Sequence, residues 1–286
     1  MIVDNGAADM GGGIALDDSS NVAIANNTVA NNVTTGTAEG TLPIDQGGVP
    51  HAAGLASEAT DPRFTGHGRF SNPVALFNNI FWTNDAQLLD HAGPGAALVD
   101  QGFIDFEVHN TLNASDVLTP RYSDLTGGTD SSINGVGARL APPGAGQGNI
   151  TADPGFADPF TLELTVGGAR LDAQQASVTI TGQDPADGIA GDYHITAGSP
   201  AIDRGVRCAL MPVPPPANAV TAPCTTTPPA GGRGVQAPAG AISATNPGGG
   251  DFDGQYRPQR RIATRPLTPW DLGADELVGV PVAGLP

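Results

Sequence analysis

Lysine is absent from the 286-residue chain, and arginine supplies all 12 basic residues against 29 aspartates and glutamates. The net charge of −17 repels phosphate backbones and anionic lipid, so the sequence disfavours a nucleic-acid partner. Without lysine, a phosphate-binding loop of the Gly-Lys type is excluded. The partners compatible with this charge are divalent cations and neutral or cationic polymers.

Long apolar runs are also missing, and charged residues make up only 14% of the chain, roughly half of the usual fraction. No segment approaches the roughly 18 consecutive apolar residues of a membrane span. The first residues lack the basic start and apolar stretch of a signal peptide, and Ile2-Val3 resembles the end of a strand. We therefore expect no membrane span in this chain, and we expect the chain to be the C-terminal part of a longer protein.

Glycine and proline, by contrast, are abundant, with 40 and 26 residues, and hydrophobic residues still reach 39%. This composition argues against helical bundles, coiled coils and doubly wound α/β folds, which need long helix-forming runs. It favours a β-rich fold dense in turns, or a repeat array.

A repeat is visible in the first half of the chain. Residues 22–32 align without gaps with residues 74–84 at an offset of 52, with five identities in eleven positions. Each copy is a short alternating strand, an Asn-Asn corner, a second short strand and another asparagine, and residues 2–5 resemble the end of a third copy. Asparagine tolerates the left-handed backbone of a tight corner, and stacked asparagines can hydrogen-bond to one another.

This pattern resembles right-handed parallel β-helix repeat proteins, in particular those with G-G-G-I and N-N-T-x-x-N coils. The resemblance implies an all-β solenoid in which short strands stack to bury a shared interior. We expect β-helix coils over residues 1–118, with a loop excursion at about 33–72 that lacks periodicity.

The second half carries five ordered motifs, at residues 121–128, 148–159, 192–205, 251–258 and 270–276. In that order they resemble the terminal region of bacterial surface β-helix proteins, often called a choice-of-anchor Q domain. The resemblance implies a secreted or cell-surface protein of bacterial type, and it names no reaction.

From this resemblance we expect the last coils and an irregular C-terminal cap over residues 119–286. Two insertions interrupt the motif order, at about 160–191, where the sequence suggests an added hairpin, and at about 206–250. We expect Ile202 to be buried under the last coil.

Charged residues of the cap are predicted to hold the chain over the open end of the coils. Asp203 turns the chain after Ile202, and Arg257 is suited to a bidentate pair with Asp203 or Asp271. Asp275 is the third residue predicted to serve the cap.

The two cysteines, Cys208 and Cys224, flank the start of the second insertion. In a chain that resembles extracellular proteins, we predict that they form a disulfide, with free thiols as the alternative. The bridge would close a loop of 17 residues and contribute about 3 kcal/mol.

Residues 251–254, Asp-Phe-Asp-Gly, resemble the opening of a calcium loop. Asp251 and Asp253 are candidate Ca²⁺ ligands together with a remote carboxylate such as Asp271. The twelfth position of the loop is Ile262 rather than the bidentate glutamate, so capping is the favoured use of these residues. No other cofactor is required.

Catalytic candidates are weak. Residues 103–109 form an alternating strand whose Asp105, Glu107 and His109 are predicted to face outward. With Arg63, Arg69 and His67 of the excursion, and His51 and Asp61 beside them, the two carboxylates could serve polysaccharide cleavage. The favoured interpretation is a solvated strand face and an ordinary polar loop.

The sequence thus favours a non-catalytic extracellular or cell-surface module, monomeric, with a structural role or a role in adhesive or glycan binding. The alternative is a polysaccharide lyase or glycoside hydrolase acting on acidic polysaccharide. An enzyme should bring several acidic and basic residues together on one outward face.

Overall fold

The computed structural model describes strands, turns and bends, with no helix among the residues it describes. These are residues 1–20, 22–37, 51–64, 67–90, 97–110, 113, 116–126, 148–167, 177–183, 191–202 and 204–205, with 132–133, 136–137, 208–210, 234–236, 259–260, 273 and 280–281. The all-β fold predicted from the sequence is confirmed. Within these ranges no helix has the length and hydrophobicity that crossing a membrane would require.

The strands are short. In chain order the first thirteen are β1 (Ile2–Val3), β2 (Gly6–Ala7), β3 (Ile14–Leu16), β4 (Ala23–Ala25), β5 (Thr28–Ala30), β6 (Val33–Thr34), β7 (Leu55–Glu58), β8 (Ala75–Phe77), β9 (Ile80–Trp82), β10 (Asp85–Asp90), β11 (Ala97–Phe103), β12 (Phe106–His109) and β13 (Asp124–Leu125). The remaining ten are β14 (Ser132–Ile133), β15 (Val136–Gly137), β16 (Phe156–Asp158), β17 (Thr161–Gly167), β18 (Ser177–Gln183), β19 (Asp192–Ile195), β20 (Cys208–Leu210), β21 (Gly234–Gln236), β22 (Gln259–Arg260) and β23 (Val280–Pro281).

Parallel pairing joins strands that lie far apart in sequence. The parallel stacks are β1-β5-β9-β13, β2-β6-β10, β3-β7-β12 and β4-β8. Val29 lies beside Phe81 and Ala23 beside Ala75, so the two copies found in the sequence stack with their 52-residue offset as the register. The interior holds the apolar side chains Leu16, Ile24, Val29, Leu55, Phe70, Leu76, Phe81, Phe106, Val108, Leu118 and Leu125.

The corners between the stacked strands are left-handed, as the asparagines predict. A non-glycine residue with φ between 44° and 59° stands at six of them: Asp4, Asn26, Asn31, Asn78, Thr83 and Tyr122. Each is followed by a polar residue whose side chain points along the stack. Four of the six are aspartate or asparagine, which favour this region because a short polar side chain can bond locally and offset its strain.

The polar residues after the corners form two hydrogen-bonded series. In the asparagine ladder, Asn5 Nδ2 donates to Asn32 Oδ1 at 2.9 Å, and Asn32 Nδ2 donates to Asn84 Oδ1 at 2.9 Å. Asn84 Nδ2 donates in turn to Asp105 Oδ1 at 2.7 Å. The parallel series runs through Asn27, Asn79, Ser123 and Asn149. These bonds satisfy amides that the stack removes from water.

The excursion at 33–72 differs from the prediction. Leu55–Glu58 is a strand that lies between β3 and β12, with Leu55 beside both Ile14 and Phe106. The sequence Leu-Ala-Ser-Glu has little strand propensity of its own, so its two partner strands impose the conformation. Residues 38–50 of the excursion lie outside the described residues.

The later strands pack antiparallel. The predicted hairpin in the first insertion is confirmed, because β17 pairs with β18 from Thr161 opposite Gln183 to Gly167 opposite Ser177. Strand β16 pairs with β19. Ile202 is buried against Ile80 and Ile195, as the sequence predicts.

Candidate functional site

Asp105 does not face outward as predicted. Its carboxylate is buried, with Oδ1 accepting from Asn84 and Oδ2 accepting from Thr126 N at 2.8 Å. Burial raises the pKa of Asp105 to about 7, against the lowering effect of these hydrogen bonds. The residue precedes β12 and takes the next position of the asparagine ladder, so its role is structural.

Glu107 is also buried rather than solvated, with 3% of its surface exposed. It alternates with the interior residues Phe106 and Val108, but residues 51–54 of the excursion cover it. Ala52 N donates to Glu107 Oε2 at 2.8 Å, and His51 Nδ1 lies 2.9 Å from Oε1. The alternation therefore correctly predicts that Glu107 points away from Phe106 and Val108. It does not predict that residues 51–54 cover Glu107 and bury it.

His109 completes a histidine–glutamate cluster of His51, Glu107 and His109. His109 Nδ1 lies 3.2 Å from Glu107 Oε1, and its ring meets that of His51 edge to face with centroids 4.4 Å apart. One nitrogen of each histidine and one oxygen of Glu107 all lie within 4.8 Å of one another. A transition metal could be bound by this set.

Electrostatics bind the histidine–glutamate cluster together. Burial alone would raise the pKa of Glu107, but hydrogen bonds with His109 and His51 and the charge of His51 lower it to about 2. The pKa of His109 is raised because hydrogen bonding and charge attraction from Glu107, with the charge of Glu58, outweigh its burial. The cluster thus holds a carboxylate between two nitrogen bases.

The other excursion candidates have different partners. Arg63 pairs with Asp61, and Arg69 pairs with Asp116. His67 lies against the exposed ring of Phe64, with centroids 5.8 Å apart. Of the excursion candidates, His51 is the one that contacts Glu107. The two arginines instead neutralise the carboxylates of Asp61 and Asp116.

A second site is a groove between the stacked strands and the later segment 153–164. Its volume is about 440 Å³. The lining residues are Asn31, Asn32, Val33, Trp82, Thr83, Asp85, Phe103, Asp153, Gly155, Phe156, Pro159, Phe160, Leu162 and Leu164. We call this surface the aromatic groove.

Asp85 is a half-buried residue that lines the aromatic groove. Its Oδ2 accepts a hydrogen bond from Gln87, whereas its buried Oδ1 accepts none from the described part of the chain. Burial, with the charge of Asp100 and a side-chain hydrogen bond to it, raises the pKa of Asp85 to about 6. A buried oxygen without a donor is unusual and indicates a place where a ligand hydroxyl can bind.

The later segment is held in place by a polar contact with a corner of the stack. Asn31 Nδ2 donates to Phe160 O at 2.6 Å and lies 2.9 Å from Tyr193 Oη. Tyr193 Oη donates to Asp4 Oδ1 at 2.6 Å. These bonds fix one wall of the aromatic groove against the first two layers of strands.

Sequence reasoning missed most of the aromatic groove. Phe77 and Phe81 are fully buried, as their place in the repeat indicates, but Trp82 in the same repeat is only half-buried. Phe103, which the sequence places at the start of an alternating strand, is 51% exposed and lines the groove. The available signal is Phe156 within the motif at residues 148–159, which lines the same groove.

Several predicted residues fall outside the part of the chain that the structure describes. They are the cap residues Asp203, Arg257 and Asp275, the calcium candidates Asp251, Asp253 and Asp271, and the side-chain pairing of Cys208 with Cys224.

In comparisons with known proteins, no family model matches the chain, and no curated protein or solved structure matches it significantly.

Proposed function

We propose that this chain is a right-handed parallel β-helix module of a secreted or cell-surface bacterial protein. The parallel stacks with a 52-residue register and the asparagine ladder support the solenoid. The order of the motifs in the second half supports the location. A scaffold of this kind presents side chains from successive layers on one long face.

We further propose that the module binds neutral oligosaccharide in the aromatic groove. The observation that carries this is the combination of Trp82 and Phe103 with the buried Oδ1 of Asp85, which accepts no hydrogen bond from the residues that the structure describes. Sugar rings present C–H faces that pack on aromatic side chains, and their hydroxyls donate to carboxylates. A concave, largely apolar site with a few polar groups is typical of small-ligand binding.

Charge favours a neutral rather than an acidic sugar. Asp85 and Asp153 both line the aromatic groove, and the chain as a whole carries a net charge of −17. Uronate or sulfate groups would be repelled by these carboxylates. Arg63 and Arg69, which could have attracted an acidic polymer, are paired with Asp61 and Asp116.

A glycan array probed with the purified chain tests this function, followed by titration calorimetry with the oligosaccharides that bind. Trp82→Ala and Phe103→Ala should each weaken binding at least about tenfold, because about 1.4 kcal/mol of stacking corresponds to that factor. Phe64→Ala, at an exposed aromatic outside the groove, is the matched control and should bind like the parent chain. Binding to uronate-rich polymers alone, or binding indifferent to Trp82 and Phe103, would refute the proposal.

A glycoside hydrolase is the second candidate function, and the raised pKa of Asp85 favours it. A carboxyl group with a pKa near 6 beside a sugar site is suited to act as a general acid. Asp85→Asn separates the two functions, because an enzyme would lose reducing-sugar release while keeping its affinity for oligosaccharide. An absence of release from every oligosaccharide that the parent chain binds would leave glycan binding as the function.

A further inference from the structure

The histidine–glutamate cluster is separate from the aromatic groove and has different chemistry. Its members come from two segments of the chain, since His51 precedes β7, whereas Glu107 and His109 belong to β12. His51 and Glu107 are 4% and 3% exposed, and His109 borders solvent. Two imidazoles and a carboxylate converge here, and only His109 borders solvent.

Backbone contacts hold the ligand groups at fixed positions. Ala53 N donates to Ile104 O at 3.0 Å, and Leu55 N donates to Asp105 O at 2.7 Å, which fixes the segment after His51 to the strand that carries Glu107. Ala52 N also donates to the Glu107 carboxylate at 2.8 Å. A carboxylate oriented by a backbone donor is the arrangement that supports metal ligands in proteins.

A second carboxylate, that of Asp9, stands next to the cluster on the Nε2 side of His51. Asp9 Oδ1 is buried and accepts no hydrogen bond from the part of the chain that is described, and it lies 4.0 Å from His51 Nε2. His51 directs Nδ1 toward Glu107, so its Nε2 is free to face Asp9. Histidines that bind a metal commonly donate their other ring N–H to such a carboxylate.

We propose that His51, Glu107 and His109 bind a divalent transition-metal ion of the Zn²⁺ type, with Asp9 orienting His51. This site goes beyond the glycan-binding function and does not depend on it. Two imidazole nitrogens and one carboxylate suit zinc, and a water reaching the cluster beside His109 completes a tetrahedral set. Calcium and magnesium are poor fits, because they prefer oxygen ligands.

The bound ion acts as a structural link between layers of the stack. Strands β3, β7 and β12 are successive layers of one parallel stack. Asp9 precedes β3, His51 precedes β7, and Glu107 and His109 belong to β12, so the groups around the ion come from three layers. In the bound state His51 faces the ion through Nδ1 and directs its Nε2–H toward Asp9, as the 4.0 Å approach of Nε2 to Asp9 Oδ1 allows.

The direct test is metal binding by the full chain after stripping with a chelator. Competition between the chain and a chromophoric chelator measures Zn²⁺ affinity and stoichiometry, and Co²⁺ substitution reports the ligand field through its visible absorption. We expect one ion per chain, tetrahedral Co²⁺ absorption and no comparable uptake of Ca²⁺. A parent chain that takes up no Zn²⁺ overturns the proposal without recourse to any variant.

Variants place the ion at the cluster. His109→Ala should abolish binding, and Asp9→Asn should weaken it about 10- to 100-fold, as loss of a supporting carboxylate does. His194→Ala is the matched control, since His194 is an exposed histidine beside Asp192 and should leave affinity unchanged. Asp9 is half-exposed, so Asp9→Asn should fold normally. It therefore tests the site even if a variant of a ligand residue does not fold. Binding that is lost in His194→Ala, or retained in both His109→Ala and Asp9→Asn, overturns the assignment.

Discussion

Asp105 and Glu107 are separated by a single residue, and both are buried, yet they belong to two different environments. Asp105 lies in the asparagine ladder, where amide and backbone donors only partly offset its burial and the pKa rises to about 7. Glu107 lies in the histidine–glutamate cluster, where two imidazoles lower the pKa to about 2. The contrast teaches that neighbouring bases, more than burial itself, determine whether an enclosed carboxyl group is charged.

The largest effect is expected from Glu107→Ala. Removing this carboxylate leaves His51, His109 and Ala52 N enclosed without their acceptor, which should lower the free energy of unfolding by about 3–5 kcal/mol. Urea unfolding followed by circular dichroism measures the loss. Glu163→Ala, at an exposed glutamate of β17, is the control and should change stability by less than about 0.5 kcal/mol. Equal losses in the two variants would contradict the importance of the cluster.

A smaller loss is expected from Asn84→Ala in the middle of the asparagine ladder. The substitution removes the acceptor of one Asn32 Nδ2 hydrogen bond and the side-chain donor to Val29 O and Asp105 Oδ1, which should cost about 2–3 kcal/mol. Asn5→Ala, at the exposed end of the same ladder, serves as the comparison and should cost about 1 kcal/mol or less. If the two variants had the same urea midpoint, position in the ladder would have no influence on stability.

Gly54→Ala probes the close approach between the two environments. A Cβ at Gly54 would lie 2.4 Å from Asp105 O and 3.1 Å from Asn84 Nδ2, so the backbone must shift. We expect a loss of about 1–3 kcal/mol, as for other overpacked sites. Gly198→Ala meets no atom within 4 Å and should be nearly neutral. Thermal unfolding compares the pair, and a neutral Gly54→Ala would mean that the layers can separate at no cost.

The pH dependence of stability separates the two carboxyl groups by sign. From roughly pH 4 to pH 7, folded Asp105 keeps a proton that the unfolded chain releases, so stability falls as pH rises by at most about 1.4 kcal/mol per pH unit. Glu107 acts oppositely, because its stabilisation is present above about pH 4.5 and is lost as pH falls toward 2.

Asp105→Asn should therefore flatten the fall in urea midpoint between roughly pH 4 and pH 7. Asp158→Asn, at an exposed carboxylate of β16, is the control and should keep the slope of the parent chain. Asp124 also has a pKa raised to about 7 by burial, so part of the slope should remain in Asp105→Asn. An unchanged slope would show that Asp105 is ionised throughout.

Much of the stacked half could be predicted because its signals are local and repeat. The Asn-Asn corners, the 52-residue offset and the alternation of Phe106 and Val108 each follow from short-range backbone preferences. Strand β7 could not be predicted, because Leu55–Glu58 takes its conformation from β3 and β12 on either side. The candidate sites were predicted only in part for the same reason, since His51 meets Glu107 across 56 residues of chain.

The sequence by itself determined the all-β class, the register of the two repeats and the left-handed corners, because turn chemistry and side-chain periodicity act over a few residues. The tertiary structure alone decided what becomes of the charged side chains. Alternation predicts which way Glu107 points, but the segment that folds over it determines whether it meets water or two histidines. For the same reason Trp82 became a groove wall and not a core residue, since the later strands pack beside it and leave part of its ring exposed.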